Sequence, residues 1–168
     1  MMGKTEELNR LFDIWKKRQS ESSVCRKQYF LADGIVDETI FEKEPVRVLF
    51  ITNEANTKYE SHESTTADRR EDFRQYMETG KDVWRGKMRL RMSELYKAAT
   101  GNQNMEAQTA AGHFAVMNLN KSGGSNHTDI QAMKTYCAAF QDLIAEEIRI
   151  IDPDLILWCG HGTFFLAV

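Results

Sequence analysis

The 168-residue sequence predicts an α/β fold, a three-layer α/β/α sandwich built on a short parallel sheet. Two observations predict it. Three apolar, β-rich runs alternate with long helical patterns, which is typical of strand–helix–strand units with a parallel sheet. Polar residues also follow each run, and open α/β sheets bind ligands at the carboxyl ends of their strands. The three runs are residues 46–52, 113–120 and 154–160.

The chain begins with a pattern typical of an amphipathic helix, expected over residues 5–18. Four apolar residues recur there at three- and four-residue steps, with charges between them, so one face can be buried. Residues 29–45 mix apolar residues with an Asp-Gly turn signal, and we expect an irregular segment or a short hairpin. Residues 1–44 are together expected to form a helical and irregular cap. The four apolar positions are Leu8, Leu11, Phe12 and Trp15.

The middle of the chain combines a strand, a loop and two helices. The β-branched and aromatic content of residues 46–52 predicts a strand that is covered on both faces. The polar segment 56–66 is long enough to be a functional loop. Helices are expected over 67–77 and 83–99, and Gly101 is expected to end the second of them.

The last third of the chain contains the other two strands. We expect a strand over 113–120, a Gly-rich loop over 121–126, a long helix over 129–150 and a strand over 154–160. Because right-handed crossovers place the ends of parallel strands at one edge, the polar residues there are expected to converge. Residues 161–168 have the pattern of an uncapped helix, so we expect a truncated domain that lacks its final strand.

Composition restricts the classes of function. With 22 basic and 25 acidic residues the net charge is −3, so nucleic-acid binding would need a local basic face. The three cysteines have no CxxC spacing, and we expect neither a metal site nor another cofactor. No segment approaches the ~20 apolar residues that span a bilayer. We therefore expect no membrane partner, and a cytoplasmic location.

Three segments resemble motifs of the uracil-DNA glycosylase superfamily. The first strand with NEAN is similar to a hydrophobic strand followed by Gly-Glu-Ala-Pro-Gly; Glu54 and Ala55 match, and asparagines stand where Gly and Pro are usual. VMNLNKSGGSN resembles a strand that ends in Asn before a polar loop. EEIRIIDPDLILWCGHGTF resembles a helix–Pro–strand–Gly unit. The resemblance spans residues 46–165 and implies one divergent domain over 1–168.

This resemblance implies a DNA-repair hydrolase that flips a damaged or deaminated base and hydrolyses its N-glycosidic bond. Its partners would be DNA or RNA and a nucleobase or nucleotide. Glu54 and Asn53 are the implied catalytic residues, because a carboxylate or an amide can orient the attacking water. Asn118 would read the base, since one amide offers a donor and an acceptor. Tyr59 and Asn56 are expected to contact the base as well.

Phosphate is expected at the Gly-rich loop, whose backbone can approach an anion closely. Simpler interpretations stand beside these roles: Glu54 can begin a helix, Asn118 can satisfy a loop backbone, and the two glycines can form a turn. Two other functions remain open, a non-catalytic nucleotide or single-stranded nucleic-acid binding module, and an unrelated α/β enzyme with a phosphate ligand at that loop. The phosphate-binding candidates are Lys121, Ser122, Gly123 and Gly124.

Overall fold

The computed structural model describes residues 2–25, 30–56, 66–68, 70–71, 87–124 and 127–160. None of the helices in these ranges is both long enough and apolar enough to cross a membrane. The elements in chain order are α1 (Lys4–Ser20), β1 (Phe30–Ala32), β2 (Gly34–Ile35), α2 (Glu38–Phe41), β3 (Val48–Asn56), β4 (Thr66–Asp68), α3 (Lys87–Thr100), α4 (Ala107–Ala110), a 3₁₀ turn (Ala111–His113), β5 (Phe114–Gly124), α5 (Ile130–Ala139), α6 (Gln141–Ile151) and β6 (Leu155–Trp158).

In the described ranges, the main sheet has four strands in the order β2-β5-β3-β6. β3 lies between β5 and β6 and is parallel to both, whereas β2 pairs with β5 in the antiparallel direction. A separate parallel pair joins β1 to β4. The expected α/β class is confirmed, and the sheet carries one antiparallel strand that the sequence did not indicate.

Both faces of the sheet are covered by helices. Side chains alternate along a strand, so the two faces of β3 belong to different cores. Val48 and Phe50 pack with residues of α3, whereas Leu49 and Ile51 pack with residues of α1, α5 and α6. Phe50 also meets Phe114 of β5 edge to face, with 4.9 Å between the ring centroids. A strand buried on both sides has no polar alternation, which explains the continuous apolar run.

Helix α1 confirms the predicted amphipathic helix, and all four of its predicted apolar positions are buried. Trp15 Nε1 donates a hydrogen bond to the Tyr136 hydroxyl at 3.0 Å, which ties α1 to α5. Residues 1–44, expected to form a cap, place α1 against the main sheet and contribute β2 to it. The two short strands near residues 30–35 do not form a hairpin, because each pairs with a different strand.

Two predicted element ends are wrong in the same direction. The strand predicted over 46–52 continues as β3 to Asn56, so the polar residues lie inside the strand and not behind it. The Gly-rich loop predicted from Lys121 begins instead as the last four residues of β5. Both errors arise because polar residues at the end of a strand can keep its ladder hydrogen bonds, which composition does not reveal.

Two of the predicted helices also need correction. The single helix predicted over 129–150 is two helices, because Phe140 has φ −122° and is not helical. This break places the Phe140 ring in the core, stacked on Trp15 with 6.2 Å between centroids. The helix predicted over 67–77 begins in β4, and residue 69 and residues 72–77 of it lie outside the described ranges.

The other predicted elements agree where they are described. Helix α3 corresponds to the helix predicted over 83–99. Gly101 follows it with φ 75°, a left-handed conformation that suits a glycine at a helix end. The helix pattern over 161–168 and most of the polar segment 56–66 lie outside the described residues.

An ion-pair cluster joins β3 to β6 at the amino ends of these strands. The Arg47 guanidinium donates to both carboxylate oxygens of Asp154, at 3.0 and 3.1 Å, and to Asp152 at 2.7 Å. The backbone N–H of Arg47 also donates to Asp154, at 2.9 Å. These hydrogen bonds from Arg47 lower the pKa of the Asp154 carboxyl to about 2.

We predict that Arg47→Gln raises the pKa of Asp154 towards its ordinary value of about 3.9. Because this pKa is lower in the folded state, the stabilisation is complete above pH about 4 and is lost as the pH falls to about 2. An NMR titration of the Asp154 carboxyl carbon measures the change. Arg149→Gln is the matched control, since Arg149 bonds to Glu146 on its own helix. An unchanged pKa in Arg47→Gln would contradict the prediction.

Candidate functional site

Polar side chains at the carboxyl ends of β3 and β5 face each other in two pairs. The strand register sets Thr52 opposite Asn118 and Glu54 opposite Asn120. Because side chains alternate along a strand, these residues lie on the same face as Phe50, beyond the last apolar pair. We call the four residues the polar ladder. The apolar core on the α3 side of the sheet therefore ends in a polar layer built by the same two strands.

The first pair of the polar ladder is anchored by Asp33. The Thr52 hydroxyl donates to Asn118 Oδ1 at 2.7 Å, and Asn118 Nδ2 donates to Asp33 Oδ2 at 2.9 Å. The same Asp33 oxygen accepts the backbone N–H of Asn118 at 2.7 Å. Asp33 directly precedes β2, so its carboxylate extends the contact with β5 beyond the first residue of β2. The amide orientation of Asn118 is thereby fixed by partners on both of its ends.

The second pair holds the glutamate. Asn120 Nδ2 donates to Glu54 Oε2 at 3.0 Å, which fixes one carboxylate oxygen. A methyl group at Gly124 would clash with the Glu54 carboxyl, so Glu54 lies directly against the backbone of β5. Glu54 belongs to a strand, and the interpretation that it begins a helix is wrong. It is partly exposed, in contrast to the buried Asn118.

Asn120 also holds a β-bulge in β5. Its Oδ1 accepts from the Ser122 backbone N–H at 2.9 Å and from the Ser122 hydroxyl at 2.6 Å. The register then shifts, and Asn56 pairs with Gly124. Gly123 has φ 72°, where a side chain would be strained. The predicted phosphate-binding residues of the SGG segment thus form a bulge, a device that redirects side chains near functional sites. Their phosphate contact stays a prediction.

Lys121 lies on the opposite face of β5, fully buried. Its ammonium bonds to Asp33, and it donates to Glu147 Oε1 at 3.0 Å. The ammonium lies 5.4 Å from the ring centroid of Phe12 and 5.3 Å from that of Trp15. We call Lys121, Asp33 and Glu147 the buried triad. In this arrangement the Lys121 ammonium contacts internal carboxylates, and the phosphate contact expected of it stays a prediction.

The buried triad combines two carboxyl groups with one ammonium. Burial is the largest cause that raises the pKa of Glu147 well above its usual value; Lys121 opposes this effect, and the Asp33 carboxylate adds to it. Glu147 Oε2 lies 2.9 Å from the ammonium without hydrogen-bond geometry. A protonated Glu147 leaves one cation and one anion, so the triad is neutral when Lys121 and Asp33 carry the charges.

Asn53 and Glu54, the two implied catalytic residues, are not brought together. As neighbours in a strand they point to opposite faces of the sheet. Asn53 Nδ2 donates weakly to the Thr128 hydroxyl at 3.4 Å. Asn56 is the last residue of β3, and Tyr59 lies outside the described residues. Among the residues that the structure describes, no group of three His, Cys, Asp or Glu side chains is placed to hold a metal ion.

Sequence reasoning missed Asp33, Asn120 and Glu147. Period-two alternation from Asn118 could have placed Asn120 on the same face. Glu147 interrupts the apolar stripe of α6, and an acid at such a position signals a buried partner. Asp33 carried only a turn signal, so nothing in the sequence indicated its contact with Asn118.

The buried triad predicts unequal effects of two substitutions. Lys121→Met leaves the Asp33 carboxylate buried without its cation and should lower the free energy of unfolding by about 3–5 kcal/mol. Glu147→Gln keeps the shape of the carboxyl in the neutral form that the raised pKa favours, so it should cost less than the Lys121 substitution. Urea unfolding followed by circular dichroism measures both. Equal losses would show that Glu147 carries a charge that the fold needs.

The raised pKa of Glu147 also predicts how stability depends on pH. Because the folded protein binds this proton more tightly than the unfolded chain, its contribution is greatest below pH about 4.3 and falls as the pH rises towards the folded pKa. Glu147→Gln removes the titrating group, so the difference in stability should move in favour of the variant as the pH rises above about 4.3. Urea midpoints across that range test it; a constant difference would contradict the assignment.

Comparisons with protein-family models, with curated proteins and with solved structures give no match to this chain. The site is therefore defined by its own geometry. Its features are a partly exposed carboxylate fixed by an amide at the carboxyl end of a parallel sheet, a bulge beside it, and a buried triad behind it.

Proposed function

We propose that this chain hydrolyses the N-glycosidic bond of a damaged or deaminated base in DNA or RNA, with Glu54 as the residue that orients the attacking water. The observation that carries the proposal is the hydrogen bond of 3.0 Å from Asn120 Nδ2 to Glu54 Oε2. It fixes a partly exposed carboxylate at the sheet edge where α/β proteins bind their ligands.

The reaction sets the requirements that Glu54 would meet. The water oxygen forms a bond to the anomeric carbon, the carbon–nitrogen bond breaks, and its electron pair leaves with the base. The sugar gains positive charge in the transition state, so a nearby carboxylate stabilises it and can accept the proton of the water. Asn120 would act as the positioning residue, since it holds the plane of that carboxylate while its other end holds the bulge.

The fold gives further support to a uracil-DNA-glycosylase-like assignment. Three parallel strands carry helices on both faces, as a three-layer α/β/α sandwich requires. The polar ladder lies at the end of the first two motif-bearing strands, β3 and β5, in the order that the resemblance implies. Nucleic acid as the partner and a base as the substrate follow from this assignment and are proposed with it.

A non-catalytic binding module is the second candidate, and one observation favours it. Both ends of the Asn118 amide are occupied inside the protein, so Asn118 meets a base only through its remaining hydrogen-bonding capacity. The contact of Glu54 with Gly124 can likewise serve the bulge alone. In this case a base or nucleotide would bind at the sheet edge and leave unchanged.

We predict that the protein releases base from an oligonucleotide carrying uracil, hypoxanthine or xanthine, and that Glu54→Gln lowers the rate by about 10²-fold or more, because it removes the carboxylate. Asn120→Ala should cause a smaller loss, since it removes one hydrogen bond that positions Glu54 and leaves the carboxylate in place. Abasic-site formation, read as strand cleavage by alkali, is the measurement.

Glu6→Gln is the matched control, because Glu6 is an exposed glutamate paired with Arg10 on α1, far along the chain from the polar ladder. Its rate should equal that of the parent protein. Cleavage that survives in Glu54→Gln would remove Glu54 from the mechanism. Base binding without cleavage would favour the binding module, and neither cleavage nor binding would contradict both candidates.

A further inference from the structure

The buried triad brings an amine and a carboxyl group into direct contact. Lys121 and Glu147 have fully buried side chains, and the side chain of Asp33 is 2% exposed. The Lys121 amine contacts Asp33 Oδ1 and lies 3.0 Å from Glu147 Oε1. Because the amine and the carboxyl already lie side by side, a reaction between them avoids the entropy cost of bringing two groups together.

Two N–H donors hold the other oxygen of the Asp33 carboxyl. Asp33 Oδ2 accepts the backbone N–H of Asn118 at 2.7 Å and its side-chain amide at 2.9 Å. When a nucleophile adds to a carboxyl carbon, negative charge develops on an oxygen, and fixed N–H donors stabilise that charge. Asn118 thus prepares Oδ2 to take up the charge, and Oδ1, beside the amine, is the oxygen that can leave.

Glu147 is placed to carry the protons of such a reaction. An amine attacks only as the neutral base, so its ammonium form must first give up a proton. Burial is the main cause that raises the pKa of Glu147 well above its usual range, so its carboxyl can hold a proton and pass it on. The ring centroids of Phe12 and Trp15 lie 5.4 and 5.3 Å from the amine, and both side chains are buried, which excludes water from this side of it.

We propose that Lys121 and Asp33 form an amide bond between their side chains, with Glu147 as the catalytic residue. The Lys121 nitrogen forms a bond to Asp33 Cγ, and the bond from Cγ to Oδ1 breaks. Two protons of the ammonium leave with Oδ1 as one water, and the third stays on the amide nitrogen. Glu147 transfers protons from the nitrogen to Oδ1 and ends with the number of protons it began with. The structure shows the two side chains as separate groups, the state before this reaction.

The surroundings of the triad fit the product as well. The amide oxygen, which is Oδ2, can keep both hydrogen bonds from Asn118, and the amide N–H can donate to Glu147. A neutral amide replaces a buried ion pair, which removes the desolvation cost of two charges. The bond would join residues 88 positions apart, so it would restrict the unfolded chain as a disulfide does. This reaction is independent of the base chemistry proposed for Glu54.

Intact-mass spectrometry of the purified full chain in denaturing solvent tests the bond. We expect the parent protein to be lighter than its sequence by the mass of one water. Proteolysis should then release one branched peptide that joins the segments around Lys121 and Asp33. Lys121→Arg keeps the cation, but a guanidinium stays protonated and is no nucleophile, so this variant should have the full mass of its sequence.

Glu147→Gln tests the catalytic role, because glutamine keeps the size of the side chain without an acid that relays protons. The variant should remain folded by circular dichroism and should keep the full mass of its sequence. Arg149→Gln is the matched control on the same helix, since Arg149 is exposed and bonds to Glu146. It should lose one water as the parent does.

The proposal fails if the parent keeps its full mass after prolonged incubation at neutral pH, or if the lost water maps to another residue. It also fails if folded Glu147→Gln loses the water as fast as the parent. If Glu147→Gln does not fold, the masses of the parent and of Lys121→Arg still decide whether the bond forms. Base release does not enter these masses, so the failure of this proposal and the failure of the proposed hydrolysis are separate results.

Discussion

The Asp33 carboxylate is the group on which the arrangement of the sheet edge depends. One of its oxygens accepts both the backbone N–H and the side-chain amide of Asn118, and the other bonds to the Lys121 ammonium. Lys121 extends the contact to Glu147 of α6. The Asp33 carboxylate, just before β2, thus connects residues on both faces of β5 and, through Lys121, helix α6. It also orients the Asn118 amide that accepts the hydrogen bond from Thr52 of β3.

Such a cluster is poor evidence for stability, because the desolvation of buried charges offsets much of their attraction. Its contribution is better understood as a constraint on register. A slip of β5 by one residue would turn Lys121 towards the polar ladder and Asn120 towards the apolar core of α1 and α6. Lys121 then loses both carboxylates and Glu54 loses its amide donor. The buried triad therefore favours the one register in which Asn120 faces Glu54.

The sequence predicted the α/β class, α1 and the strand cores, because apolar periodicity reports burial directly. It failed where polar residues remain in regular structure, at Asn53 to Asn56 and from Lys121 to Gly124. Glu54 was singled out by its place at the end of an apolar run, but its hydrogen bond with Asn120 was not expected. The contact of Asp33 with Asn118 could not be predicted, because it depends on tertiary structure that brings distant parts of the chain together.

The positions of the strand ends at the sheet edge determine whether Asn53 and Glu54 could contact the same substrate. They point to opposite faces of β3, so a base lying on either face would meet only one of them. β6 ends at Trp158, opposite Ile51, whereas β3 continues to Asn56 beside β5. Within the part of the chain that the structure describes, the sheet therefore has a step, at which β3 projects beyond β6. A substrate that reaches Glu54 would therefore approach on the face of the polar ladder, whereas the Asn53 amide lies on the other face, next to the Thr128 hydroxyl.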